Sequence, residues 1–135
     1  MARHERYLSI AKEVSLLSDF KQVKIGCIVV YKGAIVSSAF NSNKTHPMQS
    51  IFNKYRDFES GDFLAKVHAE VSAISKIRYL DIDWSRAVVY VFRQHKNEQN
   101  AMARPCKACY NAIKEKGINT VVCTTEDGYA VERIK

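Results

Sequence analysis

No run of apolar residues in this chain approaches the roughly 20 in succession that a bilayer-spanning helix needs, so nothing in it reads as a membrane segment. Nothing near the start reads as a signal peptide either, since Met1 to Arg6 passes directly into an amphipathic pattern. A cytoplasmic protein is the expectation. There is no internal repeat and no low-complexity tract, and proline is down to two residues, Pro47 and Pro105. Cysteine is sparse too: Cys27, Cys106, Cys109 and Cys123 make up the whole set of four. In a reducing cytosol a Cys-x-x-Cys pair is a metal site or a redox pair rather than part of a disulfide framework. The 135 residues are read as one domain, 1–135, large enough to bury a core without such cross-links.

Acidic residues are outnumbered by basic ones, 14 to 21, for a formal net charge of +7. That excess suits a phosphorylated small molecule or a nucleic acid and does not separate the two. It is also consistent with solubility alone.

Between His4 and Leu17, Tyr7, Ile10, Ala11, Val14 and Leu17 recur at helical spacing among charged residues, which predicts an amphipathic helix lying on a sheet. Val23 to Tyr31 is nearly continuous apolar sequence rich in β-branched residues, as expected of a strand covered on both faces. Lys32-Gly33 then turns the chain into a second strand, Ala34 to Phe40, making a hairpin. Asn41 to Pro47 reads as a polar loop, and Met48, Ile51, Phe52, Tyr55 and Phe58 repeat every three or four residues, predicting a helix that starts near Pro47. Further on, a helix is expected over Val67 to Leu80 with Val71, Ile74 and Ile77 inward, and a third strand over Arg86 to Phe92. Arg93 to Ala103 is polar and aperiodic, a loop suited to the rim of a site at strand ends. Pro105 to Lys116 is the next helix, closed by Gly117, and Asn119 to Thr125 the fourth strand. A tight turn at Glu126-Asp127-Gly128 leads to a short last strand, Tyr129 to Ile134. The order implies an α/β fold: a mixed, mostly five-stranded sheet in a three-layer α/β/α arrangement, the first two strands antiparallel and the third and fourth parallel. Cys27 and Cys123 fall inside strands and read as small core residues.

Two short stretches carry the chemistry, His68-Ala69-Glu70 and Pro105-Cys106-Lys107-Ala108-Cys109. His68, Cys106 and Cys109 offer one imidazole and two thiolates, three donors suited to Zn²⁺, and leave a fourth tetrahedral position. Structural zinc sites are closed by four protein ligands, whereas catalytic ones keep a position for water. Glu70 lies two residues after His68, near enough to work on that water without serving as a ligand. Mid-helix, residues two apart do not share a face, so the pair can converge only at the helix's N-terminal mouth. A thiolate at the start of a helix gains from the partial positive charge there.

His68-Ala69-Glu70 followed by Pro105-Cys106-x-x-Cys109 resembles the signature of the cytidine deaminase-like superfamily of zinc deaminases. The resemblance covers most of the chain and implies the same three-layer architecture. It also implies zinc on His68, Cys106 and Cys109, with Glu70 as catalytic acid and base. At the end of the second strand the superfamily often places an Asn that contacts substrate, and Asn41 is the match; ordinary turn chemistry explains Asn41 equally well. Lys44, Arg104 and Lys107 are candidates for a substrate phosphate, with Ala69 inside the motif as a further substrate contact. The implied reaction is hydrolytic loss of ammonia from a cytosine nucleotide or nucleoside, with deoxycytidylate first. The runner-up is a polynucleotide substrate, tRNA adenosine or single-stranded cytosine. A non-catalytic zinc module closed by His46 or Cys27 is a third reading, and a redox dithiol a fourth that leaves His68 and Glu70 unexplained. A homo-oligomer is expected by resemblance.

Overall fold

The structure, a computed structural model, describes residues 3–18, 24–45, 66–67, 69–94, 107–126 and 128–134. Helix α1 (Arg3–Ser15) leads into the hairpin of β1 (Lys24–Tyr31) and β2 (Ala34–Phe40), followed by β3 (Ser42–Thr45) and β4 (Lys66–Val67). Then come α2 (Ala69–Lys76), β5 (Val88–Gln94), α3 (Lys107–Lys116), β6 (Thr120–Thr125) and β7 (Gly128–Arg133). The main sheet has the order β2-β1-β5-β6-β7, with β5 and β6 parallel and every other neighbour antiparallel. The parallel pair and both hairpins are those the sequence implies. The expected helix over Pro47 to Phe58 lies outside the described residues.

Strand alternation sorts the core into two layers. Ile28, Val30, Tyr90, Phe92 and Val122 face α1, where Tyr7, Leu8 and Ala11 meet them. Cys27, Val29, Val89, Val91, Val121 and Cys123 face the other way, under Ala69, Ala73 and Ile74 of α2 and Ile113 of α3. The buried line of α1 differs from the expected stripe: Tyr7, Leu8, Ala11 and Ser15 are inside, while Leu17 is 66% exposed. Close approach to β1 is the reason. A Cβ on Gly26 would stand 2.0 Å from the Ala11 carbonyl oxygen and 2.6 Å from the Ser15 nitrogen, so the helix backbone rests directly on the strand. Small residues, Ala11 and Ser15, stand where the helix touches Gly26, and Leu17 falls beyond the last turn. Gly26→Ala is therefore expected to cost about 3 kcal/mol of unfolding free energy through overpacking, seen as a lower urea midpoint at unchanged slope. A variant of wild-type stability would mean that α1 is not seated on Gly26.

Three element boundaries shift from the sequence expectation for local reasons. Helix α2 gives way after Lys76 to a tighter turn in which the Ile77 N–H donates to Ile74 O (3.1 Å) and the Leu80 N–H to Ile77 O (3.0 Å). Strand β5 starts at Val88 rather than Arg86, because Trp84–Arg86 is a 3₁₀ turn whose Asp83 cap accepts from the Ser85 N–H (3.2 Å). Ser42–Thr45, expected as loop, pairs antiparallel with Lys66–Val67 as a separate two-stranded sheet. The end of α3 matches expectation: Gly117 has φ +93°, the Ile118 N–H reaches Ile113 O at 3.3 Å and the Gly117 N–H reaches Lys114 O at 3.0 Å. At the β1–β2 turn Lys32 and Gly33 both have positive φ, 51° and 78°, the backbone of a type I′ hairpin. For Lys32 that left-handed conformation costs about 1 kcal/mol.

Candidate active site

The two helices that carry the motifs run side by side in the same direction. They pack against each other, and their C-terminal ends are tied where Lys116 Nζ donates to Arg78 O at 2.7 Å. Both end where β5 and β6 begin, since α2 leads through the 3₁₀ turn into β5 and α3 leads through Gly117 into β6. Their first turns must then lie together at the C-terminal ends of the parallel strands, where α/β sheets open a crevice. The same end holds the start of β1 and the finish of β2, because Lys24 pairs with Gln94 and Gly26 with Phe40.

Glu70, the second residue of α2, is only 5% exposed, and its neighbour Ala69 is fully buried. Cys109, in the first turn of α3, is also fully buried. Each is set inward by its helix: Val71 and Ile74 anchor α2 on the sheet and Ile113 anchors α3, so the opening turns are carried against the core. Cys27 of β1 lies beneath them. Burial pushes its thiol well above the ordinary range, and the Glu70 carboxylate adds to that rise. At 5% exposure the Glu70 carboxylate does not stand out in bulk water. Cys27 and Cys123 are both fully buried, as their strand positions imply.

Asn41 is 7% exposed and closes the end of the β1–β2 hairpin. Its Oδ1 accepts from the Ile25 N–H (2.9 Å), its own N–H donates to Ile25 O (3.1 Å), and its carbonyl accepts from Ser18 Oγ (2.9 Å). Asn41 does not take the left-handed backbone of a turn: its side chain instead completes a backbone ladder across to β1. Ser42 pairs with Val67, which puts Asn41 one residue from the strand pair that leads into α2. Lys44 lies in that pair, with its backbone alone described. His68, Cys106, Arg104 and His46 lie outside the described residues. Asn41→Ala is expected to cost about 1 kcal/mol by leaving the half-buried Ile25 N–H without its acceptor. Urea denaturation checks it, and an unchanged midpoint would show that the N–H finds another partner.

Two features at this end carry no sequence signal. Thr124 Oγ1 accepts from the Arg93 N–H (3.1 Å) and donates to Arg93 O (3.3 Å), fastening β5 to β6 beyond their last paired residues. The nearness of Cys27 to Glu70 is likewise a product of helix placement, since the residues stand far apart in the chain.

The donor set fits zinc. A buried sulfur in the first turn of one helix and a buried carboxylate in the first turn of its neighbour share one end of the sheet. The remaining donors of the two motifs, His68 and Cys106, immediately precede those turns in sequence. One imidazole with two thiolates suits Zn²⁺ rather than a hard cation.

Comparison with known proteins agrees. A "probable deoxycytidylate deaminase" of Caenorhabditis elegans is 30% identical over 112 residues, covering 82% of this chain. The chain spans 57% of the length of that curated relative. Among solved structures, the apo dCMP deaminase of cyanophage S-TIM5 superposes with a TM-score of 0.63 at 22% identity, over 93% of this chain and 86% of its own. A cytidine deaminase from Burkholderia pseudomallei gives 0.68 at 17% identity, over 99% and 94%. At such identities these structures establish the fold, and they show the three-layer arrangement with its mixed five-stranded sheet to be the cytidine deaminase one. The family described as "Cytidine and deoxycytidylate deaminase zinc-binding region" matches residues 1–125, and with the fold and both motif helices in place the chain belongs to that zinc-binding family.

Proposed function

We propose that the protein is a zinc-dependent hydrolase that removes the amino group of a cytosine nucleotide, deoxycytidylate first, leaving the uracil form and ammonia. The observation that carries this reading is Glu70, a buried carboxylate in the first turn of α2, at the same end of the sheet as the buried Cys109 of α3. Family membership supports it. So do the deoxycytidylate deaminase relative and the cyanophage enzyme, whose structure has also been determined with dCMP and dUMP.

His68, Cys106 and Cys109 hold the metal. When bound, zinc acts as a Lewis acid that makes water nucleophilic near neutral pH. Glu70 takes a proton from the attacking water and delivers it to the ring nitrogen next to the amine-bearing carbon. It then carries the proton of the hydroxyl now on that carbon to the amine, which leaves as ammonia while the carbon–oxygen bond becomes the uracil carbonyl. Burial serves this role, because a carboxylate shielded from bulk solvent interacts more strongly with the atoms that gain and lose charge. The Asn41 amide, the Ala69 backbone and the cations Lys44 and Arg104 position base, sugar and phosphate.

Association of copies is part of the same reading. Ile35, Tyr79 and Leu80 are exposed apolar side chains, Tyr79 at 84%, and a homo-oligomer would cover them. No described helix is long and apolar enough to cross a membrane, in keeping with work on a cytoplasmic nucleotide.

The test is ammonia release from a panel of cytosine, deoxycytidine, dCMP, adenosine monophosphate and single-stranded oligonucleotides. Turnover highest on dCMP is the expected result. Activity confined to the oligonucleotides, with binding that weakens steeply as salt rises, would replace the mononucleotide reading. Release from none of them would end it.

A further inference from the structure

Strand β5 carries a cation into its last turns of register. Val89 and Val91 face the α2 and α3 layer and are buried there, while Tyr90 and Phe92 face α1. The same alternation sets Arg93 on the α2 and α3 side, at the C-terminal end of the parallel pair where the crevice opens. Lys24, the neighbouring cation on β1, falls on the α1 side by that alternation, as Ile28 and Val30 do.

Register also relates Arg93 to the candidate site. Cys27, whose thiol feels the Glu70 carboxylate, pairs with Val91, and Ile25 pairs with Arg93. Arg93 therefore stands two residues further out than the row that holds Cys27, about 7 Å along the strands. Asn41, bonded to Ile25 at 2.9 and 3.1 Å, flanks that residue on its other side.

We propose that Arg93 binds the 5′-phosphate of the nucleotide substrate and so makes the enzyme prefer a cytosine mononucleotide to its nucleoside. This role rests on the deaminase reading and adds to it the group that selects the substrate class. With the base at Glu70, a separation of that size leaves room for the sugar before the phosphate. The cation is held in place: beyond the last ladder pair, Val91 with Cys123, Thr124 Oγ1 accepts from the Arg93 N–H (3.1 Å) and donates to Arg93 O (3.3 Å). The residue is half-buried and its Nε is buried outright. Keeping a guanidinium nitrogen from water costs free energy that a merely solvating cation does not incur. A planar guanidinium fixed at such an opening can meet a phosphate with two parallel hydrogen bonds.

Kinetics on dCMP and deoxycytidine, with calorimetry on dUMP and deoxyuridine, test this role in the zinc-loaded full chain. The wild-type protein is expected to favour each nucleotide over its nucleoside. Arg93→Gln should cut the dCMP-to-deoxycytidine ratio of kcat/KM about tenfold or more, mostly through KM, and weaken dUMP binding by a similar factor. Arg93→Lys, which keeps the charge but not the fork, should recover part of both, and Lys114→Gln on α3 should leave the ratio where it was. Should Arg93→Gln lose its cooperative urea transition, Arg93→Lys carries the test alone at about threefold. A wild-type ratio near one, or a ratio unmoved by the substitution, would overturn the role of Arg93 and leave the deaminase reading standing. So would an equal fall in kcat on both substrates, the mark of a residue that serves Glu70 or the scaffold. Ammonia release from neither substrate would instead end the deaminase reading, and the dUMP titrations would then decide Arg93: binding no tighter than deoxyuridine, or unchanged in Arg93→Gln, overturns it.

Discussion

Glu70→Gln is expected to retain one zinc per chain while turnover on the preferred cytosine substrate falls about 10²–10⁴-fold, the range for loss of a positioned general acid and base. The substitution keeps the side chain's shape, so the first turn of α2 stays packed: Ala69 and Val71 on either side are fully buried and hold it in register. What disappears is the capacity to accept and return a proton. The deficit should lie in kcat, with KM changed far less, because the carboxylate's contribution is made in the transition state. Parallel loss of zinc and activity would make Glu70 a metal ligand. Wild-type turnover would remove it from the chemistry.

Cys109→Ala is expected to do the reverse, removing the metal first. Its sulfur is fully buried in the opening turn of α3, and trading it for a methyl group leaves a void of about one atom, at roughly 1 kcal/mol in packing. Loss of one of three protein donors is a far larger change for zinc. Metal content should fall well below one per chain, deamination should drop to background, and a strong chelator applied to the wild-type protein should reproduce both effects. Stoichiometric zinc in Cys109→Ala would place the metal elsewhere.

The fold was legible in the sequence wherever one physical demand dominated a stretch of chain. A strand covered on both sides has to be apolar throughout, and β1, with Cys27, Ile28, Val29 and Val30 all buried, shows it plainly. Gly117 marks the end of α3 because few residues other than glycine accept its backbone angles readily. Legibility failed where the determinant was a partner distant in sequence. Ser42–Thr45 has no apolar alternation, and only its pairing with Lys66–Val67 makes it a strand. The inward line of α1 is set by Gly26, which no periodicity within the helix can report.

The candidate site divides in the same way. His68, Glu70, Cys106 and Cys109 stand out because metal and proton chemistry need those side chains at short spacings. Asn41 could be located but not assigned, since its bonds to Ile25 and Ser18 exist only in the folded chain.

X-ray absorption at the zinc edge, on the full chain with and without a hydrated-pyrimidine inhibitor, tests the open three-donor centre most directly. The expected spectrum has two sulfur neighbours and one imidazole, with a fourth light neighbour that changes when the inhibitor is added. A third sulfur, a second imidazole, or a spectrum that the inhibitor leaves untouched would mean a closed structural zinc and would contradict the enzyme.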